Sequence, residues 1–315
     1  MKVGLDIGGT KTAAVVLGDD GTIRRELVQP TGYGPSQVIE NAVRAVEALA
    51  LQTGVDRSAF TSVGIGIPGV VSVTTGRVSH AVNLGIDDLD LGNQMAQILG
   101  VPVHVENDVN AAAMGVFHLL DDPEMHSMAY LNLGTGLAAG LVLGGRLWRG
   151  SRGTAGEIGH IPIDPTGPLC ACGQRGCLEL VASGSGLARL WPTPSGRPME
   201  TLYAAAQGGD AVAADVFHRF AHNVASAVRI LVLSVDVDVV VIGGGMSALG
   251  APLIDSVVGV LESWAIDSPF LESLDLTSRV RLLPEGQSAA AVGAALAGLS
   301  LGEGADADSL SNNRS

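Results

Sequence analysis

Apolar residues along the chain follow two patterns that alternate. Short apolar runs predict buried strands at 62–67, 101–106, 237–242 and 280–283. Apolar residues at helical spacing predict helices at 36–53, 111–120, 201–207, 211–233, 252–263 and 288–297. The alternation predicts an α/β fold.

Two apolar hairpins share one design. Residues 2–17 hold two apolar runs joined by a Gly-Gly-Thr turn, with Asp6 at the end of the first run. Residues 129–147 repeat the pattern, with Asn132 at the place of Asp6 and a Gly-Thr-Gly turn. Such turns expose backbone N–H groups that suit a phosphate, although they are also common in plain hairpins. The distant repeat favours two related domains, each with one phosphate loop.

Three further turns carry candidate chemistry. The strand at 62–67 ends in Pro68-Gly69, a turn that would deliver backbone to a cleft. Asn107-Asp108 open a helix, so Asp108 is either an N-cap or a functional carboxylate. A triple glycine at 243–245 joins a strand to a helix, where it either receives a nucleotide or forms a plain tight turn.

The segment 156–179 contains all three cysteines of the chain. Three thiolates and one imidazole within a short segment match the four ligands of a structural zinc site. Three unrelated buried cysteines beside a loop histidine would be the alternative, and an odd number argues against a disulfide framework. Glu157 and Glu179 flank this predicted zinc knot. Its candidate ligands are His160, Cys170, Cys172 and Cys177.

Composition narrows the class of protein. The length of 315 residues suggests two domains, and 43 glycines with only 3% aromatic residues favour many tight turns. No apolar run reaches the length of a membrane span, and a strand near the first residue predicts no signal peptide. We therefore expect a soluble, cytoplasmic protein. A net charge of −14 disfavours nucleic acid and anionic membranes, so local backbone donors must hold any phosphate.

Six motifs spanning nearly the whole chain resemble the ROK family of repressors and sugar kinases. They are DIGGTK at 6–11, GIGIPG at 64–69, ENDVNAAA at 106–113, NLGTGLAAG at 132–140, the zinc segment and the triple glycine. The match is closest to the bacterial glucokinases of that family. It implies an actin-like (ribonuclease H-like) duplicated fold of two domains with a cleft between them.

The resemblance also implies a domain division, cosubstrates and an assembly. The small domain is expected at 1–109 with about 289–301, and the large domain with the zinc knot at 110–288. The polar and charged composition from Gly302 onward separately predicts a disordered tail at 302–315. ATP and Mg²⁺ are the implied cosubstrates, with structural Zn²⁺. The partners would be a small-molecule sugar and a nucleotide, and the assembly a homodimer.

Site roles follow from the same resemblance, residue by residue. Asp108 is the implied general base, and Asp6 lies near magnesium. The implied sugar contacts are Asn107, Glu157, His160, Glu179 and Gly69. The implied phosphate and nucleotide contacts are Gly8, Gly9, Thr10, Lys11, Gly134, Thr135, Gly136, Gly243, Gly244 and Gly245. Two departures from the family pattern are Ala138-Ala139, expected to make the second phosphate loop less open, and Ser72, which has no interpretation from sequence.

The predicted function is an ATP-dependent hexokinase acting on glucose. An N-acetylhexosamine, mannose or fructose is the alternative acceptor. A sugar-responsive repressor would need a helix-turn-helix domain before the first hairpin, which starts at Lys2, and a basic recognition helix. An actin-like filament or chaperone ATPase would share the phosphate hairpins but has no reason to carry a zinc knot beside two carboxylates.

Overall fold

A computed structural model describes residues 1–194, 196–284, 286 and 288–297. The predicted tail at 302–315 lies outside the described residues. Contacts divide the chain into two units: unit 1 holds residues 1–121 with the described residues from 286 onward, and unit 2 holds residues 122–285. Among the described residues, no helix is both long and apolar enough to span a membrane.

The described elements are thirteen strands and ten α-helices. The strands are β1 (Lys2–Ile7), β2 (Lys11–Leu17), β3 (Ile23–Pro30), β4 (Ser62–Ile67), β5 (Val70–Ser72), β6 (Arg77–Ala81), β7 (Ile86–Leu89), β8 (Val103–Asn107), β9 (Ser127–Leu133), β10 (Leu137–Leu143), β11 (Arg146–Leu147), β12 (Val239–Gly243) and β13 (Val280–Leu282). The α-helices are α1 (Pro35–Thr53), α2 (Leu91–Leu99), α3 (Asp108–Leu120), α4 (Glu179–Ala182), α5 (Gly184–Leu190), α6 (Pro198–Gln207), α7 (Ala211–Val235), α8 (Ala251–Ile266), α9 (Pro269–Ser273) and α10 (Ala289–Ala297).

The two units contain sheets of the same topology. Unit 1 has the strand order β3-β2-β1-β4-β8, and unit 2 has β11-β10-β9-β12-β13. In both sheets the hairpin partner of the central strand is antiparallel, and the two strands on its other side are parallel to it and to each other. Asp6 pairs with Ala13 and Asn132 with Ala138, so both occupy the same place in their hairpins. The predicted α/β fold and its duplicated hairpins are confirmed.

Helix α10 packs so closely against the sheet of unit 1 that backbone contacts backbone. A Cβ added to Gly64 of β4 would lie 1.7 Å from the carbonyl oxygen of Ala294, and one added to Gly4 would lie 1.8 Å from that of Ala291. On its other side α10 meets α3, where a Cβ on Gly115 would lie 1.7 Å from the carbonyl oxygen of Ala289. Only glycine permits this approach. Helix α3 therefore belongs to unit 1 as a whole, whereas the predicted boundary at 109 cuts it near its start.

The core of unit 2 forms around α7. Asp210 caps this helix by accepting hydrogen bonds from the backbone N–H groups of Val212 and Ala213. Its buried stripe includes Phe217, Phe220, Val224, Val228 and Leu231, and it joins one continuous apolar cluster with the strands of the sheet. The helix predicted at 211–233 is confirmed.

The small antiparallel sheet β5-β6-β7 was not predicted from the sequence. Its strands are short and few of their residues are buried. The buried residues are Val78, Ala81, Ile86 and Leu89, and burial does not alternate along either strand. The outer face carries an ion pair between Arg77 and Asp88. Strand β3 was also missed, because most of its residues are exposed and it lacks an apolar run.

Candidate active site

Helix α3 begins with a pair of polar residues that have separate tasks. The side-chain oxygen of Asn107 accepts hydrogen bonds from the backbone N–H groups of Val109 at 3.0 Å and Asn110 at 3.2 Å. Asn107 is extended and Asp108 is the first helical residue. The interpretation of Asp108 as the N-cap is therefore wrong, because Asn107 performs the capping, although Oδ1 of Asp108 also accepts the N–H of Val109 at 2.9 Å.

A buried carboxylate holds this helix start in place. Glu106 is 2% exposed, and its Oε1 accepts from the backbone N–H of Asn107 at 3.0 Å and from Nδ2 of Asn110 at 3.2 Å. Nδ2 of Asn107 donates to the carbonyl oxygen of Gly69 at 3.3 Å, which ties the predicted Pro-Gly turn to the same place. Sequence reasoning gave Glu106 no role, although an acid at the end of an apolar strand was the available signal.

Asp6 lies near the end of β1 and interacts with the same region. The pKa of Asp6 is raised to about 7, mainly by burial and then by the negative charge of Asp108, while the charge of Lys11 partly offsets the rise. The backbone N–H of Gly8 donates to the carbonyl oxygen of Lys11 at 3.0 Å and closes the first turn. Gly9, Thr10 and Lys11 are exposed. Unit 1 therefore brings an exposed glycine turn and two carboxylates together.

The second glycine turn is held from within unit 2. The backbone N–H of Gly134 donates to the carbonyl oxygen of Gly136 at 3.1 Å. Two backbone N–H groups at the start of α5 donate to this turn, Gly184 to Gly134 at 2.8 Å and Ser185 to Thr135 at 3.0 Å.

The Ala138-Ala139 departure falls outside this turn. Both alanines lie in β10, paired with Asn132 and Leu131. The expectation that they make the second loop less open stays a prediction, since both residues closely follow the turn. The other departure, Ser72, sits in a turn of its own, where its hydroxyl accepts from that of Thr75 at 2.8 Å.

The triple glycine lies against the same hairpin. Gly243 ends β12 and pairs with Asn132. A Cβ on Gly244, which has a φ of +87°, would lie 2.5 Å from Oδ1 of Asn132, whereas nothing lies within 4 Å of one on Gly245. Gly184 also lies close to Met246, since a Cβ there would be 3.5 Å from its sulfur. Unit 2 thus gathers two glycine turns and the start of α5 at one edge of its sheet.

The four candidate zinc ligands converge. Their ligand atoms, from His160, Cys170, Cys172 and Cys177, all lie within 4.8 Å of one another. Cys172 Sγ lies 3.6 Å from Cys177 Sγ, and Cys170 Sγ lies 3.9 Å from His160 Nδ1. These separations exceed a disulfide bond and approach the roughly 3.8 Å edge expected of a tetrahedron with zinc–sulfur bonds of about 2.3 Å. The group fits a tetrahedral zinc ion.

Backbone around the ligands supports this arrangement. The N–H of Cys170 donates to the carbonyl oxygen of Gln174 at 2.7 Å, and isolated bridges join Pro162 to Cys177 and Leu169 to Arg175. A backbone N–H of Gln174 is the largest influence that lowers the pKa of the Cys172 thiol, to about 6. The knot is therefore built by local hydrogen bonds as well as by its ligands.

Two carboxylates stand at the ends of this segment. The carbonyl oxygen of Glu157 accepts the N–H of His160 at 3.1 Å in a short 3₁₀ turn at 158–160. Glu179 is the first residue of α4, and its Oε2 accepts the backbone N–H of Leu137 at 3.0 Å. Glu179 thereby contacts the end of the second glycine turn, a relationship that the sequence did not indicate.

Comparison with known proteins identifies the family. The ROK family matches residues 2–299. The chain is 34% identical to the ROK hexokinase from Thermus thermophilus, with a TM-score of 0.80 over 94% of this chain and 97% of that one. It is 31% identical to a ROK family glucokinase from Streptomyces griseus, solved in complex with glucose and AMPPNP, with a TM-score of 0.75 over 93% and 97%.

A curated relative has a different sugar in its name. The N-acetylmannosamine kinase of Escherichia coli is 33% identical over 275 residues, which cover 86% of this chain and 90% of that protein. The chain therefore belongs to the ROK family, among its sugar kinases.

Proposed function

We propose that the chain transfers the terminal phosphoryl group of ATP to a hydroxyl of a hexose, with glucose as the preferred acceptor. The observation that carries the proposal is the division of tasks at the start of α3. Asn107 caps the helix through the N–H groups of Val109 and Asn110, so the cap persists without the carboxylate of Asp108, which shares the N–H of Val109 at 2.9 Å. Asp108 can then act as the general base that accepts the proton of the sugar hydroxyl.

The position of Asp108 suits this role. It is the first helical residue of α3, where the helix dipole favours an anion. Phosphoryl transfer depends mainly on positioning and charge stabilisation, so one correctly held carboxylate is enough to take the proton. Glu106 and Gly69 support that positioning through their hydrogen bonds with Asn107.

The glycine turns and Asp6 suit the donor side of the reaction. Residues 8–11 in unit 1 and 134–136 in unit 2 would contact the phosphates, and residues 243–245 the nucleotide. Asp6 would lie near Mg²⁺, which neutralises charge on the phosphates when it is bound. The raised pKa of Asp6 supports this assignment, because a nearby cation would relieve the burial of its charge.

In unit 2, Glu157, His160 and Glu179 would bind sugar hydroxyls, with Asn107 and Gly69 doing so from unit 1. His160 would use one ring nitrogen for zinc, so a zinc ion held by the four ligands would fix the ring that also contacts the sugar. The zinc ion would have a structural role only, since four protein ligands leave no open coordination position for a substrate.

The choice of glucose depends on the apolar surface near Gly69. An acetamido group needs an apolar contact for its methyl group. Of the three apolar residues beside this turn, Ile67 is fully buried, Val71 packs on the core, and only Val70 is 63% exposed. One exposed valine is a small apolar surface, which supports a hydroxyl rather than an acetamido group at C2. N-acetylmannosamine is the strongest alternative, given the Escherichia coli relative.

Sugar-dependent ADP release tests this proposal. The purified protein with ATP and Mg²⁺ should show its highest kcat/KM for glucose in a panel that includes mannose, fructose, N-acetylglucosamine and N-acetylmannosamine. Asp108→Asn, purified in parallel, controls for contaminating kinases. Absence of ADP release with every sugar would overturn the kinase assignment, and a higher kcat/KM for an N-acetylated sugar would overturn only the acceptor.

A further inference from the structure

The carboxylate of Glu179 faces two parts of unit 2 with different tasks. It starts α4, directly after the zinc knot, and resemblance assigns it to the sugar. Its Oε2 nevertheless accepts the backbone N–H of Leu137 at 3.0 Å, immediately after the turn at 134–136. A Cβ on Gly136 would lie 2.7 Å from the same oxygen. The carboxylate therefore packs against the glycine turn itself.

The packing around this contact leaves little freedom. A Cβ on Gly159 would lie 2.1 Å from the carbonyl oxygen of Leu137 and 3.3 Å from Cβ of Glu179. The strand that follows the turn is held as well, since the N–H of Ala139 donates to the carbonyl oxygen of Gly156 at 2.8 Å. The segment at 156–160 and Glu179 thus enclose the start of β10.

Backbone bonds from α5 hold the other side of the turn. Gly184 and Ser185 donate their N–H groups to Gly134 and Thr135. The start of α5 is itself fixed, because the buried Ser183 accepts the N–H of Gly186 at 3.1 Å and its hydroxyl lies 3.1 Å from that of Ser185. To these backbone and hydroxyl contacts Glu179 adds a carboxylate.

We propose that Glu179 is a positioning residue for the phosphate donor as well as a ligand of the sugar. Its carboxylate holds the turn at 134–136 in the conformation that receives the phosphates. One oxygen is bound to Leu137, and the other remains for a sugar hydroxyl. This inference rests on the proposed function for the identity of the two ligands. It predicts that binding of the phosphate donor and binding of the sugar by unit 2 both depend on the side chain of Glu179.

Two substitutions at this position separate the two tasks. Glu179→Gln keeps a side-chain oxygen at the same reach, so the bond to Leu137 persists while the negative charge is lost. Glu179→Asp keeps the charge but is one methylene shorter, so it no longer reaches the N–H of Leu137. Glu262→Ala, at an exposed glutamate of α8, is the matched control in the same unit.

Binding of Mg²⁺–AMPPNP, measured by calorimetry without sugar, is the decisive readout. Glu179→Asp should raise the Kd about tenfold, the loss expected for one hydrogen bond to a charged group. Glu179→Gln should stay within about threefold of the unsubstituted protein, as should Glu262→Ala. Zinc content and thermal unfolding establish that each variant is folded.

Unchanged nucleotide binding in Glu179→Asp would overturn the proposal. If Glu179→Asp binds Mg²⁺–AMPPNP as tightly as the unsubstituted protein, Glu179 does not position the donor turn. A simple loss of stability would raise the Kd of both variants alike, whereas loss of the positioning contact would raise the Kd of Glu179→Asp alone. The measurement needs no sugar, so an error in the proposed acceptor would leave it interpretable, and failure of all proteins to bind nucleotide would instead count against the kinase and this inference together.

Discussion

The side-chain oxygen of Asn107 accepts the backbone N–H of Val109 at 3.0 Å, one residue away from the carboxylate proposed as the base. The carboxylate of Asp108 accepts the same N–H at 2.9 Å, so Asn107 keeps the helix capped when Asp108 is replaced.

Substitutions at 107 and 108 should therefore affect different properties, stability in the first case and turnover in the second. Asp108→Asn should lower kcat by about 10²-fold or more, since the proton acceptor is lost, and should not lower the unfolding temperature, because Asn107 still caps the helix and the charge that repels Asp6 is removed. Asn107→Ala should destabilise the protein by about 1 kcal/mol, the usual cost of an N-cap. Calorimetry and sugar-dependent ADP release on both variants test this. Near-normal turnover in Asp108→Asn would mean that Asp108 is not the base.

Zinc content should follow the four ligands of the knot. We expect about one zinc per chain, and Cys172→Ser should lose both the metal and the activity, since structural zinc can supply about 10 kcal/mol of folding free energy. Elemental analysis and a chelator titration measure this. Zinc added back to metal-depleted protein should restore activity in the unsubstituted chain and not in the variant. Active protein that contains no zinc would contradict the assignment.

Local sequence patterns predicted the parts of the molecule that depend on neighbours in the chain. The two hairpins, the long helix α7 and the His/Cys cluster all have their determining residues close together in sequence. Resemblance to a family then supplied the roles of single residues.

Contacts between distant segments could not be predicted in this way. The bond from Leu137 to Glu179 and the burial of Glu106 depend on side-chain directions that only the folded chain fixes. Strand β3 and the sheet β5-β6-β7 were not predicted, because exposed or very short strands show no apolar periodicity. The cap at Asn107 was missed because two capping residues are adjacent and the sequence does not choose between them.

Stability should depend on the ionisation of Asp6. Its pKa is about 7 in the folded protein and near 4 when unfolded, so the folded state binds the proton more tightly. The resulting penalty is absent below about pH 4, grows as pH rises, and is complete above about pH 7. Asp6→Asn should therefore unfold at a higher temperature than the unsubstituted protein at pH 8 and not at pH 3.5.

The size of that difference is on the order of a few kcal/mol. Differential scanning calorimetry in magnesium-free buffer measures it, because a bound cation would offset the buried charge. Asp267→Asn, at an exposed position after α8, serves as the control. An equal gain in unfolding temperature at pH 8 and pH 3.5 would show that burial of the Asp6 charge is not its cause.

The close packing of α10 makes a final prediction about the glycines of unit 1. A Cβ on Gly64 would lie 1.7 Å from the carbonyl oxygen of Ala294, and backbone cannot move aside as a flexible side chain can. Gly64→Ala should therefore destabilise the protein by about 3 kcal/mol and lower its soluble yield, because α10 must shift away from β4.

Gly259 offers a matched comparison within a helix. It lies in α8, with nothing within 4 Å of an added Cβ, so Gly259→Ala should stabilise the protein by about 0.5–1 kcal/mol through helix propensity alone. Urea unfolding of both variants, followed by circular dichroism, gives the comparison. If Gly64→Ala unfolded at the same urea concentration as Gly259→Ala, α10 would not be in backbone contact with β4.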